Sequence, residues 1–118
     1  MRDPQSTWMT LGRELFKACE SMRADGGCRA GAPTFHWLIK HSIFVQVSES
    51  NRRLWITRDA LSEEVRFQLK YSHDEVTPPE TLTIVPSGET TFRITGIETD
   101  FTTNELCNEL LDILCRDR

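Results

Sequence analysis

The sequence predicts an α+β fold: a single domain with a mostly antiparallel five-stranded sheet, built as a meander of hairpins, and an N-terminal and a C-terminal helix packed on one of its faces. Three observations predict it. Apolar residues recur at three- and four-residue steps near the N-terminus; five central segments alternate apolar and polar residues; a capping box opens a second amphipathic stretch near the C-terminus. The 118 residues suffice for one core, and no repeat, low-complexity tract or composition break divides them, so one domain over 1–118 is expected.

The first helix is expected over about 7–24. Trp8, Leu11, Leu15, Ala18, Cys19 and Met22 share one stripe, Ser6 or Thr7 suits the N-cap, and Gly26-Gly27 supply the positive-φ residues that end helices. Five strands follow, at about 42–49, 53–58, 64–71, 80–85 and 90–96, each marked by alternation such as Ile43-Phe44-Val45-Gln46-Val47. The turn-like runs Glu49–Arg52 and Pro86–Glu89 make hairpins of the first two and the last two strands. Asp59–Glu63 reads as a helical turn or wide connection, and His73–Pro79 as a polar loop.

Residues 34–40 carry two patterns. Phe35, Trp37 and Ile39 alternate as in a strand, while Thr34 ahead of Phe35, Leu38 and Ile39 suits a short helix; an extended lead into the first strand is the favoured reading. The last helix is expected over about 103–116, with Thr102 as N-cap, Glu105 as its capping-box partner and Phe101 as a staple to Leu106. Leu106, Leu110, Ile113 and Leu114 form its apolar face.

Composition narrows the function classes. With 38% apolar and 27% charged residues and no apolar run of bilayer length, the chain reads as soluble, with no membrane partner. Its polar N-terminus lacks a secretory pattern, so a cytoplasmic location is expected. Cys19, Cys28, Cys107 and Cys115 show no metal-ligand spacing and are expected as free thiols; Cys107 and Cys115, eight residues apart on one helix, are separated by about 12 Å, beyond disulfide reach. The net charge of −4 divides unevenly, with +1 over residues 1–33, +2 over 34–72 and −7 over 73–118. The acidic last third opposes attraction of the whole protein to nucleic acid, though a local basic face could still bind it.

The two-residue period assigns Ile43, Val45, Val47, Leu54, Ile56, Val65, Phe67, Leu69, Tyr71, Leu82, Ile84, Phe92 and Ile94 to the helix-covered face. The opposite face then carries Phe44, Arg53, Trp55, Arg66, Lys70 and Arg93 among threonines and glutamines, and these six residues are the candidate interaction face. Large aromatics left open on a sheet mark an interface, so contact with a second subunit is the favoured use, ahead of a protein partner. Stacking of a base on Trp55 or Phe44, with the cations holding phosphate or carboxylate, is the alternative.

No other segment carries a site. Asp25–Pro33 is glycine-rich with Cys28 beside Arg29, but Gly31 is followed by Ala32-Pro33 rather than the Lys and Ser/Thr of a phosphate loop. His36 and His41 with Cys28 lack a zinc spacing, and His73 with Asp74 or Glu75 reads as loop rather than an acid–base pair. Glu98 and Asp100 ahead of the last helix, and Glu105, Glu109 and Asp112 along it, read as helix-start electrostatics and a solvated face. No nucleophile elbow, metalloprotease helix or dinucleotide fingerprint is present, and no cofactor or metal is expected. In size, acidity and helix–sheet–helix order the chain is similar to specialised secretion chaperones and small immunity or adaptor proteins, a fold-level likeness carried by no motif. The expectation is a non-enzymatic interaction or adaptor protein acting as a homodimer; a ligand- or nucleic-acid-binding module is second, and a small enzyme with a cleft beside Cys28, His36, His41 or His73 is third.

Overall fold

The computed structural model describes residues 3–27, 31–39, 41–47, 51–58, 66–73 and 78–115. Two helices, α1 (Pro4–Ala24) and α2 (Thr103–Cys115), enclose seven strands: β1 (Pro33–Ile39), β2 (Ser42–Val47), β3 (Arg53–Arg58), β4 (Phe67–Ser72), β5 (Glu80–Pro86), β6 (Thr91–Ile94) and β7 (Phe101–Thr102). Every neighbouring pair is antiparallel and spatial order equals chain order, so the sheet is an uninterrupted meander. Residues 48–49, 59–65, 74–75 and 116, together with Cys28 and Arg29, lie outside the described residues, and so do the expectations that fall on them.

The strand count corrects the expected five to seven, and both additions have a local cause. Residues 33–39 form a full strand because Phe35 and Trp37 follow the two-residue period and pair with Val45 and Ile43, whereas a Thr-capped helix would break that register. β7 is only two residues, too short for alternation to announce, and leads directly into α2. α1 starts three residues earlier than expected. Its N-cap is Asp3, not Ser6 or Thr7: the Asp3 carboxylate accepts from the Ser6 amide at 3.1 Å, and Pro4 occupies the first turn, where no backbone N–H is needed. The α2 capping box forms as read, with Thr102 N donating to Glu105 Oε1 at 2.9 Å and Glu105 N to Thr102 Oγ1 at 3.2 Å.

Both helices press on one face of the sheet. Trp8, Leu11, Leu15 and Cys19 of α1 join Leu106, Cys107, Leu110, Leu111 and Leu114 of α2 in a single buried cluster with Ile43, Val45, Leu54, Ile56, Leu69, Ile84 and Ile94 of the strands. α1 lies over the β1 end and α2 over β6 and β7, and the two helices touch each other. Trp8 is fully buried, its ring 5.2 Å from Phe67 and 5.8 Å from Trp37. At the far end of α2, Arg52 donates to the Leu114 carbonyl at 3.2 Å, and His73 Nε2 lies 3.0 Å from the Ile113 carbonyl and donates to it. These side chains satisfy carbonyls that a helix end leaves unpaired.

Cys19, Cys107 and Cys115 are free thiols. Burial pushes Cys19 and Cys107 up to about 12, so neither is a nucleophile at neutral pH. Among the described residues no helix is long and apolar enough to cross a membrane.

Trp8→Ala is expected to destabilise the fold by about 3–5 kcal/mol, measured by urea unfolding, because it empties the contact between α1 and the sheet. The two buried thiols stay protonated in the fold while the unfolded chain releases their protons near 9.0, so stability is fully present below that pH and falls as pH rises from 9.0 towards 12. The fall in urea midpoint over that window is expected to be smaller in a Cys19→Ala, Cys107→Ala variant.

Candidate functional site

With one sheet face consumed by the core, the residues of the opposite face are ordered by strand register. His36 pairs with Phe44, Phe44 with Trp55, Trp55 with Lys70 and Lys70 with Thr81, which makes one row across five strands. Its aromatic members touch: His36 stacks on Phe44 with centroids 6.0 Å apart, and Phe44 lies 5.5 Å from Trp55. Arg53, two residues before Trp55 and therefore on the same face, sets its guanidinium 5.5 Å from the Trp55 ring centroid. Its Nε is buried without a hydrogen-bond partner among the described residues. Phe44, Trp55 and Arg53 are thus half-buried against one another, and Lys70 at the end of the row is exposed.

Two of the six candidate residues stand apart from this group. Arg93 lies on β6 opposite Val85, and its Nη2 and Nε donate to Asp100 Oδ1 at 2.8 and 3.1 Å, so its charge is already matched. The Ser87 hydroxyl and Arg93 together hold the Asp100 carboxyl below its usual value. Arg66 is exposed just before β4, outside the row. The structure therefore brings together Phe44, Arg53, Trp55 and Lys70 and adds His36, which the sequence offers only as a metal ligand or a cleft residue of an enzyme.

The most exposed large apolar side chains sit elsewhere. Met9, Phe16 and Trp37 are 45%, 47% and 44% exposed, and with Gly12, Arg13 and Phe35 they line an open apolar pocket of about 480 Å³ between α1 and β1. Phe35 joins Phe16 and Trp37 in edge-to-face contacts with centroids 5.8 and 5.5 Å apart. Gly12 makes the arrangement fit, since a Cβ there would fall 2.3 Å from the Trp37 ring. Sequence reading missed this site. Its signal was Met9, Arg13 and Phe16 at four- and three-residue steps, a second stripe beside the core stripe of α1.

The two surfaces meet at β1. As the first strand in the order, β1 has a long edge that no strand pairs with among the described residues; His36 points to one sheet face, and Phe35 and Trp37 to the other. An aromatic band therefore wraps around an open strand edge. A second, smaller pocket of about 250 Å³ is lined by the hydroxyl-bearing Ser6, Thr7, Thr10, Thr90 and Thr103 with Glu89 and Phe92.

The described histidines occupy three separate places: His36 within β1, His41 in the turn ahead of β2, and His73 after β4 against the end of α2. No group of three or more His, Cys, Asp or Glu that could hold a metal occurs among the described residues. No family model matches the chain, and neither a curated protein nor a solved structure matches it.

Gly12→Ala is expected to displace the Trp37 indole and shift tryptophan emission to longer wavelength. The helix gain of about 1 kcal/mol offsets the lost ring contacts, leaving urea stability near that of the native protein. Unchanged emission would place Trp37 away from α1.

Proposed function

We propose that the protein is a small non-enzymatic interaction protein that works as a homodimer, and that its contact surface is the aromatic band around β1. The observation that carries this reading is the continuity of the band. On one face Phe44 and Trp55 stand one and two strands in from the unpaired edge, behind His36, and on the other Trp37, Phe16 and Met9 lie beside that edge. A contiguous apolar surface of this kind is costly to leave in water and marks a place where another chain sits. An open edge adds a row of backbone donors and acceptors that a second strand can use. Sequence reading gives the Phe44–Trp55 side; the pocket side extends the same surface around the edge.

One observation favours a second reading, binding of an anionic ring such as a nucleotide base with its phosphate. Arg53 is poised over Trp55 with an unpartnered Nε, and the Lys70 cation follows in the same row.

Sedimentation across a range of concentrations separates the two readings. A mass twice 13.6 kDa is expected, reduced to the single-chain value by Trp37→Asp and by Trp55→Asp, with circular dichroism confirming that both variants fold. A single-chain mass at every concentration overturns the homodimer. Salt-sensitive binding of single-stranded nucleic acid that is lost on Lys70→Glu with Arg66→Glu would support the second reading, and no binding at low salt removes it.

A further inference from the structure

We propose that the pocket between α1 and β1 binds a small apolar carboxylate, with the apolar body against Phe16, Phe35 and Trp37 and the carboxylate at the mouth on Arg13. The proposal goes beyond the homodimeric reading and does not depend on it.

Size and lining set the first half of the ligand. Small-molecule sites occupy roughly 300–1,000 Å³ and are mostly apolar, with a few polar groups that fix orientation. At about 480 Å³ this pocket lies within that range, and Arg13 is the one charged residue among those that line it. Phe35 stands edge-to-face to both Phe16 and Trp37, at interplanar angles of 76° and 87°, so the rings stand as walls and not as a flat patch. Trp37 keeps its place because Gly12 has no Cβ to displace it.

Charge sets the second half. Three aromatic rings and a methionine would by themselves suit a quaternary cation, but no carboxylate lines the pocket and a guanidinium does. Arg13 has no ion pair or hydrogen bond among the described residues. α1 contains two carboxylates, and both are already matched, Glu14 by Lys17 at 3.5 Å and Glu20 by Arg23 at 3.0 Å; β1 contains none. One helical turn from Arg13 lie Met9, Thr10, Phe16 and Lys17, which offer it no anion and add a second cation. The Trp37 indole N–H, likewise without a partner among the described residues, is a further donor on the same lining. The pocket is therefore complementary to an apolar anion and repels an apolar cation. Because Arg13 is exposed, its guanidinium stays in water while its stem covers apolar surface. A carboxylate meets it there without being buried, so little desolvation opposes the contact and burial of the apolar body supplies most of the affinity.

Octanoate is the probe, with octanol and octyltrimethylammonium as the same chain uncharged and oppositely charged. Binding is measured by calorimetry on the native chain at a dilution where sedimentation gives the single-chain mass, because the pocket and the proposed dimer contact share Met9, Phe16 and Trp37. Octanoate is expected to bind saturably and to move tryptophan emission to shorter wavelength. Trp8 is already fully buried and Trp55 lies on the other sheet face, so Trp37→Phe is expected to abolish that shift while the heat of binding persists. Octanol is expected to bind on the order of tenfold more weakly, and octyltrimethylammonium no more tightly than octanol. Arg13→Gln is expected to bring octanoate down to the octanol value and leave octanol unchanged, and Phe16→Ala to weaken both, with circular dichroism confirming that the variants fold. Uptake that never saturates, equal binding of the three compounds, an emission shift that survives Trp37→Phe, or Arg13→Gln that holds octanoate as the native chain does overturns the site and leaves the homodimer standing. A single-chain mass at every concentration overturns the homodimer and leaves the site.

Discussion

The structure depends on how α1 is seated across the sheet, and that seat is the fully buried Trp8. Its indole contacts Phe67 of β4 and Trp37 of β1, so one side chain ties the helix to the middle and the edge of the meander. A long meander has few other means of holding its first strand in place, because among the described residues β1 pairs only with β2. The tie also sets what stays outside. With Trp8 and Leu11 turned inward, the next positions round the helix, Met9, Arg13 and Phe16, emerge beside β1, and Gly12 lets Trp37 lie against the helix. The α1–β1 pocket is therefore a consequence of the packing that closes the core.

The proposed interaction surface follows from the same economy. Two helices cover one sheet face, no helix covers the other among the described residues, and a meander ends in two edges. One of these, β7, is two residues long and runs into α2. The other, β1, spans seven residues and carries aromatic side chains towards both faces. Natural edges are commonly blunted by proline, bulges or charge. Here Pro33 opens the strand and a register shift falls between Trp37 and Ile39, which leaves the stretch from Thr34 to Trp37 regular. Protection at the ends with an apolar middle favours one defined pairing over indiscriminate strand addition.

Much of this was legible because it is local. The capping box at Thr102 and Glu105 needs three residues of chain, and it forms as the pattern requires. Alternation placed the interior residues of the strands on the buried face, where all those described are buried or half-buried. The N-cap at Asp3 was also written locally, by Pro4 behind it, but Ser6 and Thr7 offered equal chemistry nearer the apolar stripe. β1 was obscured by Thr34, a good helix cap in isolation; pairing with β2 overrode that preference. Arg93 looked like a free cation because its partner, Asp100, approaches through the turn between β6 and β7. His73 looked like a loop residue, and only the end of α2 gives it a carbonyl to hold.

The sequence by itself determined the order of helices and strands and which sheet face each strand residue takes. The backbone enforces both, since the periods of 3.6 and 2 residues leave no freedom once an element forms. Tertiary structure decided the neighbours: that His36, Phe44, Trp55 and Lys70 share one row, that Arg93 is spent on Asp100, and that Met9, Phe16 and Trp37 share a pocket at an unpaired edge. Those relations depend on register, on strand order and on the seating of α1 under Trp8. None of the three has a period along the chain.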